Sequence, residues 1–219
     1  MKMVVMRSDI LNEVRLIAIP PTDMTFDELV ERCLAVQRGG ATSVQLRMKH
    51  VPVSLVLATC EALLRDLSIP VYVNDRADIV RLAGAAGAHL GADDLDPRSV
   101  RRILPRPLRV GISVGSDDEA RAARSSDVDY WSLGPFAWTV TKMDAGPALG
   151  VEGFRVLRSL APRGMPIVAI GGIDAKNVAD AFAAGASGVA VVSALFGSDD
   201  VELATRRIRA AIDEVLSQF

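Results

Sequence analysis

Short apolar runs alternate with longer amphipathic segments along almost the whole chain, and this alternation constrains the fold more than any other feature of the sequence. Most of the short runs are rich in β-branched residues and are apolar at consecutive positions, as expected for parallel strands that are covered on both faces. The sequence predicts strands at Arg15–Ile19, Ser43–Arg47, Val71–Asn74, Ala88–Gly91, Arg109–Ser113, Tyr130–Leu133, Ile167–Ile170 and Gly188–Val192.

The longer segments have the periodicity of helices. They lie at Phe26–Gln37, Pro52–Leu67, Ala77–Ala86, Pro97–Ile103, Asp117–Ser125, Val151–Leu160, Ala175–Ala184 and Val201–Ser217. Strands and helices that alternate in this way predict an α/β fold, a single (βα)8 TIM barrel. An open doubly wound sheet is the alternative, but eight units within 219 residues suit a closed barrel better. We expect one domain over residues 1–219, with the barrel itself at about 15–217.

The composition excludes several classes of protein. There are 25 Lys and Arg against 27 Asp and Glu, so the net charge of -2 argues against non-specific nucleic-acid binding. Cys33 and Cys60 are isolated in apolar helical patterns, which argues against a disulfide framework and against a cysteine-based zinc site. No apolar run approaches the roughly 18 residues of a membrane span. The apolar residues 3–6 are too few for a secretory signal, so the sequence predicts a cytoplasmic protein.

Polar side chains alternate at the end of the second predicted strand. Gln45, Arg47 and Lys49 would point to the same side, which in a barrel is the interior of its mouth. Two cations and an amide that converge there favour an anion, most simply a phosphate. A solvated strand end with surface ion pairs is the alternative.

Carboxylates follow the next two predicted strands. Asp75 comes directly after the third strand, and Asp93 and Asp94 come after the fourth. Beside the cations of the second strand, these carboxylates are typical of a site where Mg²⁺ holds a polyphosphate. Asp75 could instead cap the next helix, as Asp96 is expected to do for its own helix. His89 in the fourth strand is more simply a core histidine than a ligand.

A long non-periodic stretch, Gly134–Gly150, lies between the sixth strand and the sixth helix. It exceeds the ordinary connection of about 2–6 residues, and in a barrel it would lie on the face that carries active sites. Thr139, Thr141 and Lys142 within it predict a lid that closes over a phosphate, although a polar surface loop would have a similar composition.

Small residues follow the last two predicted strands. Gly171-Gly172 and Val192-Ser193 would let the backbone approach an anion, and a phosphate site in these two loops is widespread among such barrels. The sequence therefore predicts two anion sites, one at strands 2 to 4 for a diphosphate and one here for a monophosphate.

Together these fragments resemble the thiamine phosphate synthase (thiamine-phosphate pyrophosphorylase) family. The resemblance runs from about Leu16 to Ser217. It rests on Gln45–Lys49, Val73–Arg76, Ala88–Gly91, Gly111–Ser113, Asp129–Tyr130 with Leu133–Pro135, Thr139–Lys142, Ile170–Ile173 and Gly188–Ala194, in that order. It implies a Mg²⁺-dependent (βα)8 transferase. Such an enzyme joins hydroxymethylpyrimidine diphosphate to a thiazole phosphate and releases diphosphate, by way of a pyrimidine carbocation.

The resemblance also implies roles for individual residues. The pyrimidine diphosphate would be held by Gln45, Arg47, Lys49, Asn74, Ser113 and Lys142, and the catalytic residues among these would be Arg47, Lys49, Ser113 and Lys142. The thiazole phosphate would be held by Thr139, Thr141, Gly172, Val192 and Ser193. Asp75 and Asp94 would ligate the Mg²⁺. The expected partners are these two small molecules, with neither nucleic acid nor membrane, and a homo-oligomer stays open.

Four residues depart from the family's usual pattern: Ala92, Gly115, Trp138 and Gly146 stand where Gln, His, Pro and Arg are usual or common. Two alternatives therefore stay open. One is another phosphate-binding barrel of the same family, a divergent paralogue, and the other is a non-catalytic ligand-binding barrel. Gly115 argues against the related thiazole tautomerase, which depends on the histidine that Gly115 replaces.

Overall fold

The predicted strands form a closed parallel barrel in which each strand pairs with its neighbours in chain order. The structure, a computed structural model, describes residues 10–139 and 146–218. The strands are β1 (Leu16–Ala18), β2 (Ser43–Leu46), β3 (Val71–Asn74), β4 (Gly87–Leu90), β5 (Arg109–Val114), β6 (Tyr130–Leu133), β7 (Ile167–Ile170) and β8 (Gly188–Val191). Leu16 of β1 lies opposite Val189 of β8, and this pairing closes the barrel. The predicted TIM barrel is confirmed, and the open sheet is excluded.

Helices cover the outside of the barrel. They are α1 (Phe26–Arg38), α2 (Val53–Asp66), α3 (Ala77–Ala83), α4 (Pro97–Ile103), α5 (Asp117–Ala123), α6 (Gly150–Leu160), α7 (Val178–Ala183), α8 (Ser193–Phe196) and α9 (Val201–Leu216). The sequence did not predict α8, because its four residues are too few to show a helical period. No helix in the described ranges is long and apolar enough to cross a membrane.

Local signals set the helix ends, and two predicted ends were wrong by three residues. α3 stops at Ala83, short of the predicted Ala86, because Gly84 adopts the left-handed conformation (φ +80°) that ends helices. α7 begins at Val178 and not at Ala175. The carboxylate of Asp174 accepts hydrogen bonds from the N–H groups of Lys176 and Asn177. These bonds form a turn that precedes the helix.

The core has two layers, because successive residues of a strand point to opposite faces. Trp131 of β6 packs between the barrel and the helices, whereas its neighbour Tyr130 lies inside the barrel with Ile17, Tyr72 and Val168. The barrel interior is therefore a packed core up to its mouth, where the site lies.

Both cysteines are buried in the outer layer and free, as the sequence indicated. Burial raises the pKa of Cys33 to about 12 and that of Cys60 to about 11. The thiols therefore stay protonated and unreactive at neutral pH, which fits a packing role.

Asp129 holds the opposite, N-terminal end of the barrel together. Its carboxylate accepts hydrogen bonds from the Val110 N–H at 2.7 Å and from the guanidinium groups of Arg101 and Arg106 at 2.5 and 2.6 Å. Asp129, which belongs to one of the fragments that carry the family resemblance, thus contributes to the fold rather than to the mouth.

Candidate active site

A cavity of about 390 Å³ opens at the carboxyl ends of the strands. Its walls come from the segments at the ends of β1 and β2 and from those at the ends of β4 to β8. Six of the predicted site residues line it: Arg47, Ser113, Thr139, Gly172, Val192 and Ser193. The structure thus brings a cation and a hydroxyl of the first predicted anion site to the same cavity as the backbone loops of the second. The volume suits a small-molecule ligand.

The loops after β7 and β8 form one side of this cavity. Gly171 and Gly172 have φ of +88° and +66°, a region that favours glycine, and a Cβ at Gly172 would lie 2.6 Å from the Trp138 carbonyl oxygen. The Asn177 amide donates to the Gly172 carbonyl at 2.7 Å and fixes the loop. Glycine is therefore required here so that two stretches of backbone can approach each other beside the cavity.

The residues predicted to bind metal lie together, next to the cavity but not in its wall. The Lys49 Nζ is 3.3 Å from Asp75 Oδ2, the Asn74 amide donates to the other oxygen of Asp75, and the Gly91 N–H donates to Asp94 Oδ2 at 2.6 Å. Asp75 itself has a left-handed backbone (φ 65°), a strained conformation for this residue. We call Lys49, Asn74, Asp75 and Asp94 the acidic cluster.

The two carboxyl groups of the acidic cluster influence each other. Partial burial, and then the hydrogen bond and charge of Asp94, raise the pKa of Asp75. For Asp94 burial acts in the same direction, but hydrogen bonds from Asp75 and from the Gly91 N–H hold its pKa below the ordinary value. The charge of Lys49 lowers both pKa values, yet the pKa of Asp75 stays raised, so Lys49 alone does not compensate for two ionised carboxylates.

The interpretation of Asp75 as a helix cap is wrong, since α3 follows Arg76 and has no side-chain cap. Asp96 does cap α4, through the N–H groups of Arg98 and Ser99, as the sequence predicted. Asp93 is exposed. An aspartate that caps a helix can therefore be told from one that does not only when the start of the helix is known.

Gln45 points a polar group into the barrel. Its side chain is buried, with 4% of the residue exposed, and its Nε2 has no hydrogen-bond partner within residues 10–139 and 146–218. A buried amide donor without a partner is costly, which favours a ligand acceptor at this position.

His89 is a core histidine, as expected, but it also reaches the cavity wall. Its Nδ1 is 2.9 Å from the Tyr130 hydroxyl and its Nε2 is 3.0 Å from the Ser113 hydroxyl. Burial lowers the pKa of His89 to about 4, so the imidazole is neutral at physiological pH. The sequence signal for His89 was thus correct about burial and gave no indication of the contact with Ser113.

Comparison with known proteins decides the family. The family model described as thiamine monophosphate synthase matches residues 16–195, which include every strand of the barrel. The chain belongs to this family. The resemblance found in the sequence is therefore confirmed.

Individual relatives of the thiamine monophosphate synthase family cover most of the chain. A thiamine-phosphate synthase from Azorhizobium caulinodans is 43% identical over 85% of this chain and 87% of its own length. One from Moorella thermoacetica is 42% identical over 84% and 87%. The solved thiamine phosphate pyrophosphorylase from Pyrococcus furiosus superposes with a TM-score of 0.83, at 32% identity, over 94% of this chain and 99% of that one.

The departures from the family pattern lie around the cavity. Ala92, Gly115 and Gly146 line it, and Trp138 at its edge is 79% exposed. The Gly115 N–H donates to the Glu119 carboxylate at 2.7 Å, so this glycine position has a polar neighbour but no side chain of its own.

Some cavity residues escaped the sequence analysis, and two predicted ones cannot be placed. Ser132 and Glu119 line the cavity. Alternation along β6 could have found Ser132, which lies two residues after the inward Tyr130, but Glu119 projects from α5 and carries no strand-end signal. Thr141 and Lys142, and with them the predicted lid, lie outside the described residues.

Proposed function

We propose that this protein is a thiamine phosphate synthase, which joins hydroxymethylpyrimidine diphosphate to a thiazole phosphate and releases diphosphate. One observation carries the proposal beyond family membership. Residues predicted for two different anions, Arg47 and Ser113 for one and Gly172 and Ser193 for the other, line the same cavity. A reaction between two phosphorylated substrates needs both anions held side by side.

For the pyrimidine diphosphate we propose the residues of β2 to β5 and their ends. Donors to an anion are supplied by the amide of Gln45, which has no partner in the described part of the chain, by the guanidinium of Arg47 and by the hydroxyl of Ser113. The roles of Asn74 and Lys49 beside Asp75, like that of Lys142, rest on the family resemblance. For the thiazole phosphate we propose Thr139, Thr141, Gly172, Val192 and Ser193 on the same basis.

For Mg²⁺ we propose Asp75 and Asp94 as ligands. Their oxygens are the donor type that this ion prefers, and their mutual influence on pKa fits a site completed by a cation. No group of three or more metal-binding side chains occurs in the described part of the chain, so the remaining ligands would be diphosphate oxygens and water. When bound, the metal would neutralise charge on the diphosphate.

The chemistry needs no protein nucleophile. The carbon–oxygen bond to the diphosphate breaks, and its electron pair leaves with the diphosphate. The remaining benzylic-type cation is delocalised by the amino group of the pyrimidine. The lone pair of the thiazole nitrogen then forms the new carbon–nitrogen bond, which places the positive charge on the thiazolium product. Arg47, Lys49, Lys142, the two aspartates and the metal have a net charge of about +3, which stabilises a departing diphosphate of about −3.

The test is turnover by the purified protein with both substrates, with and without Mg²⁺. We expect thiamine phosphate to form only with the metal. Asp75→Asn should abolish most turnover while the protein stays folded, and Asp93→Asn is the matched control because Asp93 is an exposed carboxylate beside Asp94. Equal losses in the two variants would contradict the proposed metal site.

The divergent paralogue stays as the second candidate, because Ala92, Gly115 and Gly146 all line the cavity. Lost hydrogen bonds to a charged ligand cost about 1.5–3 kcal/mol each, or roughly ten- to a hundred-fold in affinity. A synthase with a raised KM is therefore expected. Ligand binding by calorimetry without any product at millimolar substrate would instead favour a binding barrel.

Three further statements stay predictions from the sequence. The first is a cytoplasmic location, and the second is a single domain over residues 1–219. The third is that the partners are small molecules and neither nucleic acid nor membrane, with a homo-oligomer as an open possibility.

A further inference from the structure

A chain of hydrogen bonds runs through the barrel interior to the cavity. It begins at the Tyr130 hydroxyl, passes through both ring nitrogens of His89 and ends at the Ser113 hydroxyl, with heavy-atom distances of 2.9 and 3.0 Å. Tyr130 and His89 are 1% and 6% exposed, whereas Ser113 lies in the cavity wall. The reaction proposed above uses only Ser113 of these three.

The protonation states within this chain follow from burial. The His89 ring is buried between two hydroxyl groups, those of Tyr130 and Ser113, and neither carries a negative charge that would hold a second proton on the imidazole. Burial also raises the pKa of Tyr130 above its ordinary value. At neutral pH the imidazole therefore carries one N–H and the phenol keeps its O–H. Each of the three side chains then has one hydrogen-bonding proton. Two arrangements are therefore possible: each group donates to the next from Tyr130 towards Ser113, or each donates in the opposite direction.

The buried phenol decides the direction. If His89 Nδ1 carried the proton, it would donate to the Tyr130 oxygen, and the Tyr130 O–H would need another acceptor. Among the described residues, His89 is the hydrogen-bond partner of that hydroxyl. A buried donor without an acceptor is unfavourable, so Tyr130 donates to Nδ1. The proton of the imidazole is then on Nε2, and Nε2 donates to Ser113.

We propose that Tyr130 and His89 are positioning residues that make Ser113 a hydrogen-bond donor to an anionic ligand in the cavity. Because the Ser113 oxygen accepts from His89, its own proton is directed to another acceptor, and the cavity is where an acceptor would bind. The identity of that acceptor, a phosphate oxygen of the diphosphate substrate, rests on the proposed function. A donor fixed in this way stabilises the charge that develops on the departing diphosphate.

The barrel is built to admit this tyrosine. A Cβ on Gly111 of β5 would lie 2.1 Å from the Tyr130 ring, so only glycine leaves room for the ring to cross the neighbouring strand. The ring also stacks on His89, with 5.5 Å between centroids, and meets Tyr72 edge-on at 6.1 Å. The phenol is therefore held in place from three sides.

The direction of the chain can be measured without substrate. The protein has two histidines, so long-range ¹H–¹⁵N spectra of histidine-labelled protein contain two imidazoles, and a His50→Asn variant assigns them. We expect His89 to be neutral with its proton on Nε2. A proton on Nδ1, or a mixture of the two tautomers, would overturn the proposal.

Kinetics test the consequence. Tyr130→Phe should lower kcat roughly tenfold with little change in KM, a loss of the size expected for one hydrogen bond to charge. Tyr72→Phe is the matched control, since Tyr72 is equally buried but its hydroxyl bonds Glu13 away from the cavity. In a Ser113→Ala background Tyr130→Phe should cause no further loss.

The possible results separate the two proposals. An equal loss in both backgrounds, or an equal loss in Tyr72→Phe, would show a general packing effect and overturn the positioning role. If Tyr130→Phe does not fold, the tautomer of His89 in the unmodified protein decides alone. If the unmodified protein makes no thiamine phosphate, the proposed function fails, while the tautomer still decides the direction of the chain.

Discussion

The low pKa of His89 makes the stability of the protein depend on pH in a defined window. An imidazole in the unfolded chain has a pKa near 6.5, and burial lowers the value to about 4 in the folded protein. As the pH falls below 6.5, the unfolded state takes up this proton and the folded state does not, so the free energy of unfolding decreases. Below about pH 4 both states are protonated and the decrease stops. Above 6.5 neither state is protonated and His89 contributes no pH dependence.

The size of the effect follows from the same two values. A fall from 6.5 to about 4, at about 1.36 kcal/mol for each pH unit, amounts to about 3 kcal/mol. Other groups also titrate in this range, so the measurement is a comparison. Urea unfolding of the natural protein and of His89→Gln is followed from pH 7.5 to pH 4. We expect the variant to lose about 3 kcal/mol less on acidification, even if it is less stable at neutral pH.

The matched control is His50→Gln, because His50 is exposed. If this variant flattens the pH dependence as much as His89→Gln, or if the curves of His89→Gln and the natural protein are parallel, the reasoning about burial is refuted.

Three further predictions concern the cavity and the strand beneath it. Gly111→Ala should reduce the free energy of unfolding by about 1–3 kcal/mol, because its Cβ overlaps the Tyr130 ring; an unchanged urea midpoint would contradict this. Gly172→Ala should weaken thiazole phosphate binding in calorimetry but not diphosphate binding, since the added Cβ meets the Trp138 carbonyl; equal losses would argue against separate anion sites. Ala92→Gln should lower the KM for the pyrimidine diphosphate, and an unchanged KM would mean that the site has adapted to the alanine.

The barrel could be predicted from the sequence because the signal is repeated. Each buried parallel strand is apolar at consecutive positions, and a mistake at one strand leaves the alternation intact. Helix ends were less predictable. The stop at Gly84 and the late start of α7 depend on a left-handed glycine and on a turn at Asp174, which a periodicity analysis does not weigh. Helix α8 is too short for any periodicity.

The site was predicted in part. Strand alternation placed Gln45 inside the barrel and Arg47 in the cavity wall. Lys49 does not line this cavity, because it lies three residues beyond the end of β2, where the alternation of a strand no longer fixes the direction of a side chain. Lys49 pairs with Asp75 in the acidic cluster instead. The contact between His89 and Ser113 joins two strands and could not be read from either one alone.

The closure of the barrel between β1 and β8 has a consequence for how the chain is made. Next to the pairing of β1 with β8, the Arg15 side chain donates a hydrogen bond to the Ser187 carbonyl, which lies 172 positions further along the chain. At about 5–20 residues per second, a ribosome needs roughly 10–30 s to supply that partner after Arg15 has been added. During this time β1 has an unpaired edge that can associate with other chains. Products that terminate before β8 keep that edge permanently, so we expect them to aggregate or be degraded rather than to persist as smaller folded proteins.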